Sequence, residues 1–267
     1  MCRHARIRYA WLSAHSLYAW CAQYPFAPPK LDDPEYNAEV MRSWRTKIQD
    51  ARESFSKMDF EGAERALQLA LEQAGHFGQS SGPVATSLLN LAQLYRRTGR
   101  LSEAEPLLER AADVLDQTAG PNNKVTLLAL IDLANTKLEN GDPTGSLGGF
   151  RDVLARLDIA EANQKHGAAA LSSVRAGCLF SMAKGHAALD EVDEAEARLR
   201  EVLSMVEARW GDTSVRVLAP CAELVRITAL QGRLGESRAL LARARALPEL
   251  KPQQVTKLAD LERELKL

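Results

Sequence analysis

The chain has 267 residues, 46% of them hydrophobic, with 16 Gly and 11 Pro, which is few turn-forming residues for an all-β protein and ordinary for a helical one. The formal charge is −1 at neutral pH, which excludes the strong field that attracts nucleic acid or an acidic membrane surface. No stretch approaches the roughly 20 uncharged apolar residues of a membrane-spanning helix.

The first 37 residues differ in composition from the remainder, and we expect them to form an N-terminal extension. No acidic residue precedes Asp32, and a Pro-rich linker, AQYPFAPPKLDDPEY, ends the segment. Before that linker the apolar residues follow one helical stripe: Ile7, Trp11, Ala14, Tyr18 and Cys21. An acid-poor, arginine-bearing amphipathic helix resembles an organellar targeting sequence. Three alternatives stay open: a helix packed on the first repeat or on a partner, a disordered tail, and an incorrect start codon.

A helical repeat covers most of the remaining chain. Its anchor is a small residue that recurs at intervals of 41, 42, 49 and 42 residues: Ala63, Ala104, Ser146, Ala195 and Ser237. Large apolar residues stand four positions after the anchors, as expected for one face of an α-helix: Leu67, Leu108, Phe150, Leu199 and Leu241. Small residues also stand twelve positions before the anchors, as at Ala92, and Gly99, Gly141 and Gly232 stand five positions before them. Each unit is therefore predicted to be a helix, a turn and a second helix, and such hairpins bury their apolar faces only by stacking.

The best copy of the repeat, PVATSLLNLAQLYRRTGRLSEAEPLLERAADVLDQTAGPNN, resembles a tetratricopeptide repeat (TPR), and its 42-residue period is most similar to the repeats of kinesin light chains. The resemblance covers about residues 38–247 and is weaker in the first and third units. It implies an all-α, right-handed superhelical solenoid of about five TPR-like hairpins over residues 38–248, followed by a C-terminal capping helix at 249–267. In that helix Val255, Leu258, Leu261 or Glu262, and Leu265 are expected to face the stack.

The third unit departs most from the pattern. Lys137 replaces the usual Tyr, and Gly145, Gly148 and Gly149 lie around its second helix. Each helical Gly costs about 1 kcal/mol relative to Ala, so we expect this unit to be the least stable. The interval that follows has seven extra residues, in the stretch DIAEANQKHGAAALSSV. These residues predict either helices lengthened by nearly two turns or a longer loop.

No arrangement of residues points to catalysis or to a bound cofactor. The five histidines show none of the spacings of a metal site. His186 takes the position of the family's mid-helix aromatic, where a packed, hydrogen-bonded side chain is expected. The Gly-rich stretch GDPTGSLGGF lacks the G-K-[ST] ending of a phosphate-binding loop and follows a helix instead of a strand. We therefore expect no enzyme activity, no metal and no cofactor.

In a stack of this kind the first helices of the units line the concave side. The residues 15, 14, 11 and 8 positions before each anchor are expected to face that groove. From them we select eight candidate partner-binding residues: Asn90, Gln93, Arg96, Ile131, Asn135, Phe180, Lys184 and Arg226. Asn90 matches an Asn that, in related repeats, hydrogen-bonds the backbone of an extended peptide. Capping of a neighbouring helix is the alternative role for this amide.

The groove residues favour a protein segment as the ligand. Some chaperone-binding repeats hold a terminal carboxylate with a set of Lys, Asn and Arg, which is not reproduced here, and Asp132 would repel a carboxylate. Ile48, Phe55, Ile131 and Phe180 are expected to be exposed to the groove. Apolar groups there suit an extended or helical segment of another protein.

These observations predict a non-catalytic adaptor that binds a partner protein, with no nucleic acid and with a membrane only indirectly, through a partner or the N-terminal helix. If the N-terminal segment is a targeting sequence, we expect the adaptor to be an assembly factor for a complex of the chloroplast or mitochondrion. If it is not, we expect the protein to be cytoplasmic. The scattered cysteines, Cys2, Cys21, Cys178 and Cys221, favour a reducing compartment in both cases. A stoichiometric structural subunit of a larger complex and a regulatory domain of a longer protein are the alternatives.

Overall fold

The computed structural model describes residues 34–163, 168–248 and 250–266, so the predicted N-terminal stripe lies outside the described residues. Within those ranges every regular element is helical. The helices are α1 (Pro34–Ser56), α2 (Phe60–Ala74), α3 (Gly82–Arg97), α4 (Leu101–Thr118), α5 (Lys124–Glu139), α6 (Pro143–Asn163), α7 (Ala168–Ala188), α8 (Val192–Trp210), α9 (Leu218–Leu230), α10 (Leu234–Arg245) and α11 (Pro252–Leu265). In the part of the chain so described, none of them has the length and apolarity that crossing a bilayer requires.

Five helical hairpins, α1/α2 through α9/α10, stack in chain order, which confirms the predicted all-α repeat fold. All five anchors are buried, with exposed fractions of 0 to 1%. The large apolar residues four positions after them are buried as well. The first helix begins at Pro34, before the predicted boundary at residue 38. A Pro in the first turn, followed by Glu35, is a favourable helix start because Pro has no N–H to leave unsatisfied there.

The turn inside each hairpin has the same left-handed conformation in all five units. Gly99, Gly141 and Gly232 have φ values of 79°, 91° and 75°, as expected for Gly at the end of a helix. The other two units place a side chain at the same position, since Met58 and Asp190 both have φ 62°. The turn therefore does not depend on Gly, although Gly adopts it at the lowest cost.

The extra residues between the third and fourth anchors lengthen helices. The helices on either side of that interval, α6 and α7, have 21 residues each, against 16 in α3 and α5 and 18 in α4. The described residues therefore favour the longer-helix alternative over the longer-loop alternative. Arg175 of α7 ties the two extended ends together, because it pairs with Asp158 and Glu161 of α6 at 2.6 and 2.9 Å.

The three Gly residues of α6 have different surroundings. A Cβ on Gly149 would lie 3.1 Å from the Cβ of Ala134 on α5, so this Gly allows close approach of the two helices. Gly145 donates its backbone N–H to the capping carboxylate of Asp142 at 2.8 Å. Gly148 is exposed and nothing lies within 4 Å of a Cβ built on it. The low stability predicted for this unit stays a prediction.

We expect Gly148→Ala to raise the free energy of unfolding by about 1 kcal/mol, because it removes the backbone freedom of a mid-helix Gly without a new contact. Urea denaturation followed by circular dichroism measures the change. Gly149→Ala is the matched control, since it brings the same helix propensity but places a methyl group against Ala134. Equal stabilisation by the two substitutions would contradict the close approach of α5 and α6.

His186 occupies a packed, hydrogen-bonded position near the end of α7, as predicted. Its side chain is buried, and its Nδ1 lies 2.6 Å from Oε2 of Glu191. In the second unit the corresponding Tyr95 donates its hydroxyl hydrogen to Glu64 at 2.8 Å. The side chain at this position thus bonds a carboxylate in both hairpins, which explains why His can replace an aromatic residue there.

The C-terminal helix α11 covers the end of the stack. Leu258 and Leu261 are buried, and Leu265 is partly buried against the same core. Val255 is 51% exposed, so its predicted place in the apolar stripe is wrong. It lies in the first turn of α11. Two arginines of that hairpin hold the opposite end of α11, Arg226 through Glu264 and Arg245 through Glu262.

The core of the stack consists of three buried clusters in chain order. The first joins α1 to α5, the second joins α5, α6 and α7, and the third joins α7 to α11. Adjacent clusters meet within α5 and within α7. Each hairpin therefore buries its apolar face against its neighbours, as expected for a quasi-one-dimensional repeat protein.

Candidate functional site: the face of the first helices

The candidate site is the face formed by the first helices of the units, and we call it the groove face. It consists of the polar residues at the predicted inward positions: Gln49, Arg52, Asn90, Gln93, Arg96, Asp132, Asn135, Ser181, Lys184, Glu223 and Arg226. One ion pair joins two of these positions in successive units, Arg96 on α3 with Asp132 on α5. A second ion pair joins Arg226 on α9 to Glu264 of the C-terminal helix α11.

Arg96 is held within the fold by two carboxylates of the next first helix. Its Nη1 donates to Oδ1 of Asp132 at 3.2 Å, and its Nη2 donates to Oε1 of Glu139 at 2.9 Å. Only 9% of the Arg96 side chain is exposed. Burial raises the pKa of Asp132, while the guanidinium of Arg96 opposes that rise. Arg96 was expected to contact a partner and Asp132 to repel a carboxylate, but each offsets the charge of the other.

The C-terminal half of the groove face contains further partly buried charges. The Nζ of Lys184 lies 4.7 Å from the centre of the Phe180 ring, a favourable cation–π distance. Burial lowers the pKa of Lys184, and Glu223 and Glu139 oppose the change. Burial likewise raises the pKa of Glu223, and Lys184 opposes the change. These opposite charges thus stabilise one another across α5, α7 and α9.

Two apolar residues expected to be exposed to the groove are buried. Ile131 is 8% exposed and Ile48 is 7% exposed, so that expectation is wrong for both. Ile131 lies one turn after Leu127 and one turn before Ala134, and all three face the core because this spacing forms a helical stripe. Phe180 is partly buried, with the ammonium group of Lys184 above its ring.

Phe55 is also partly buried, which leaves only part of its ring for a ligand. It packs edge-on against Phe60, with ring centres 5.6 Å apart. The guanidinium of Arg97 lies 5.2 Å from the Phe55 ring centre. Phe60 and Arg97 therefore cover part of the Phe55 ring within this chain.

The amides Asn90, Gln93 and Asn135 form the remaining part of the predicted set. All three side chains belong to partly exposed residues, on α3 and α5. They lie at the centre of the groove face, between Arg52 on α1 and the charges of α7. Amides supply both donors and acceptors, which is what the backbone of an extended peptide requires.

Sequence reasoning did not identify Glu139, which binds Arg96, or the carboxylates of α11, which bind Arg226 and Arg245. One signal was present in the sequence. Several arginines pair with a carboxylate that lies 36 to 38 residues away in the sequence, in a neighbouring unit or in α11: Arg96 with Asp132, Arg100 with Glu64, Arg200 with Glu236 and Arg226 with Glu264. Opposite charges at slightly less than one repeat period therefore mark contacts between units.

No group of three or more His, Cys, Asp or Glu side chains suited to a metal occurs among the described residues. The thiols of Cys178 and Cys221 are buried, and burial raises the pKa of the Cys178 thiol to about 12. A thiol with that pKa is almost entirely protonated at neutral pH and is a poor nucleophile. Neither cysteine contributes to the groove face.

Comparison with known proteins matches both the repeat and the fold. A family model described as tetratricopeptide repeat matches residues 83–158. Protein KINESIN LIGHT CHAIN-RELATED 1 of Arabidopsis thaliana is 32% identical over 113 residues, which cover 36% of this chain. The chain spans only 17% of the length of that relative.

Two solved structures share the fold at lower identity. A single-substitution form of the kinesin light chain TPR-like repeats of Podosopora anserina is 22% identical with a TM-score of 0.64, covering 76% of this chain and 93% of that chain. A Rap protein complexed with Competence and Sporulation Factor is 12% identical with a TM-score of 0.58, covering 84% of this chain and 65% of that chain. Identities this low show a common fold and nothing about ligands.

Proposed function

We propose that this chain, a member of the tetratricopeptide-repeat superfamily, is a non-catalytic interaction module that binds an extended segment of another protein along its groove face. The observation that carries the proposal is the row of partly exposed amides Asn90, Gln93 and Asn135 on neighbouring first helices. A solved Rap protein of similar fold is complexed with Competence and Sporulation Factor.

The ion pairs of the groove face refine which residues contact the partner. Arg96 and Arg226 already bind carboxylates of this chain, so a partner would have to displace those carboxylates to use them. Amides supply both donors and acceptors, which the backbone of an extended peptide requires. We therefore assign the main contacts to Asn90, Gln93 and Asn135, with the edge of Phe180 and the hydrocarbon chain of Lys184 as apolar contacts beside them.

We expect the double variant Asn90→Ala/Gln93→Ala to weaken capture of the partner about tenfold or more, because each lost amide hydrogen bond contributes about 1 kcal/mol. Affinity purification of the tagged chain followed by mass spectrometry identifies the partner, and titration of that partner gives the affinities. The melting temperature should change by less than about 2 °C, since the amides belong to no core cluster.

The matched control is Gln68→Ala/Gln117→Ala, which removes two exposed amides from the second helices α2 and α4. Its capture of the partner should equal that of the wild type. Unchanged capture by the groove variant, or equal losses in both variants, would refute the assignment to the groove face. Substoichiometric, salt-sensitive capture supports an adaptor, whereas stoichiometric co-purification supports a structural subunit of a larger complex.

The finer form of this proposal is an assembly factor for an organellar complex. It is supported by the composition of residues 1–31, which contain Arg3, Arg6 and Arg8 and no acidic residue. Imaging of the chain with and without residues 1–31 tests this part separately. The assignment of the groove face does not depend on the outcome.

A further inference from the structure

A second exposed surface lies at the end of α8, away from the amides of the groove face. Trp210 is the last residue of α8, and its ring contacts the guanidinium groups of two arginines, one before it and one after it in the sequence. The Cζ of Arg209 lies 4.7 Å and the Cζ of Arg216 lies 4.5 Å from the centre of its ring. Both arginines are exposed residues, and Arg216 belongs to the short 3-10 turn Val215–Val217. Contact with the indole ring fixes the two positive charges near one another.

A hollow opens beside this cluster. It lies between the first turns of α7 and the last turns of α8 and is lined by Ser172, Met205, Ala208 and Arg209. Met205 and Ala208 supply apolar surface, and the hydrocarbon chain of Arg209 forms the wall shared with the arginine cluster. The hollow can take an aliphatic side chain whose neighbours then lie next to the guanidinium groups.

Two guanidinium groups, those of Arg209 and Arg216, lie nearest the indole ring, and Asp212 is an exposed residue between Trp210 and Arg216 in the sequence. Within the described residues, Arg216 forms no ion pair with a carboxylate. Glu207, one turn before Trp210, is bound by Arg243. Two exposed arginines are too few for electrostatic binding to an anionic membrane, which uses clusters of about four to eight basic residues. The guanidinium of Arg216 can donate hydrogen bonds to a carboxylate of a short acidic protein segment.

We propose that this surface, the Trp210 edge (Ser172, Met205, Ala208, Arg209, Trp210 and Arg216), binds a peptide segment in which an aliphatic residue is flanked by carboxylates. The aliphatic side chain occupies the hollow, and a neighbouring carboxylate accepts hydrogen bonds from Arg216. This site is separate from the groove face, so the chain would engage acidic, aliphatic segments in addition to the partner held by the amides.

The test uses a fluorescein-labelled peptide made of three Leu-Glu-Glu units and measures its Kd by fluorescence anisotropy. We expect Arg216→Gln to weaken binding about fivefold, the usual upper effect of one exposed ion pair. Ala208→Glu should weaken it at least as much, because it fills the hollow and adds a negative charge. A peptide with Gln in place of Glu should bind more weakly than the acidic peptide. The groove variant Asn90→Ala/Gln93→Ala should bind the acidic peptide as the wild type does.

Three results would overturn the proposal: no measurable binding of the acidic peptide, binding that both edge variants leave unchanged, or binding to phosphatidylserine vesicles without binding to the peptide. Loss of binding only in the groove variant would also overturn it, while supporting the function proposed for the groove face. Both edge positions are exposed, and circular dichroism confirms that each variant is folded.

Discussion

Ala104→Trp is expected to lower the free energy of unfolding by about 3 kcal/mol, because no space exists for an indole at this position. Ala104 is fully buried, as is Ala92 on the first helix of the same hairpin, and both belong to the first core cluster. An indole there would force α3 and α4 apart. The displacement would also disturb the neighbouring hairpins, since repeat units stabilise one another through their interfaces.

Urea denaturation followed by the helical circular-dichroism signal measures this loss. Gln117→Trp is the control, because Gln117 is an exposed residue of the same helix and a Trp there meets solvent. We expect the control to change the free energy of unfolding by less than about 0.5 kcal/mol. Equal denaturation midpoints for the two variants would contradict the role of Ala104 as the crossing point of the hairpin.

Arg96→Ala is expected to lower the free energy of unfolding by roughly 2–3 kcal/mol. The substitution removes both ion pairs to α5 and leaves the partly buried carboxylate of Asp132 without its cation, which is the costly way to break such a pair. The double variant Arg96→Ala/Asp132→Ala should recover part of the loss. Arg97→Ala is the control, since its exposed guanidinium contacts Phe55 and should contribute less than about 1 kcal/mol.

The effect of Arg96→Ala should depend on pH in a defined direction. Burial raises the pKa of Asp132 in the folded chain, and Arg96 opposes that rise; without Arg96 the pKa of Asp132 rises further. A carboxyl whose folded pKa is raised binds more protons folded than unfolded, so stability falls as the pH rises above the ordinary Asp value of about 4. The deficit should therefore be largest at neutral pH and shrink toward pH 4. A deficit that grows on acidification would show that Asp132 is not the group responsible.

Sequence spacing predicted the features of the fold that depend on how the two helices of a single hairpin pack together. Small residues at Ala92 and Ala104 recur because two helices cross there, and a large apolar residue such as Leu108 recurs because it fills the space beside the crossing. Such requirements repeat with every unit and are therefore visible in a single chain. The left-handed turns at Met58 and Asp190 were not visible, because the stacked helices impose the turn without requiring Gly.

The parts that spacing did not predict are the contacts between neighbouring units. The position 15 residues before the anchor is buried in four units, at Ile48, Leu89, Ile131 and Ala222, so it belongs to the core and not to the groove. Asp132 and Glu139 of α5 reach Arg96 of α3, which a helical wheel of one unit cannot show. Contacts to residues about one repeat away thus decide which charged groove residues are already paired, whereas the assignment of Asn90 and Gln93 to the partner site stays a prediction.

The shared turn geometry gives the five hairpins turns of unequal energy. A left-handed residue with a side chain costs about 1 kcal/mol more than Gly, so the turns at Met58 and Asp190 are less favourable than the three turns that Gly forms. Asp bears this cost more easily than Met because its short polar side chain tolerates the conformation. A Gly at either position would therefore relieve this backbone strain, and it would relieve more at Met58 than at Asp190.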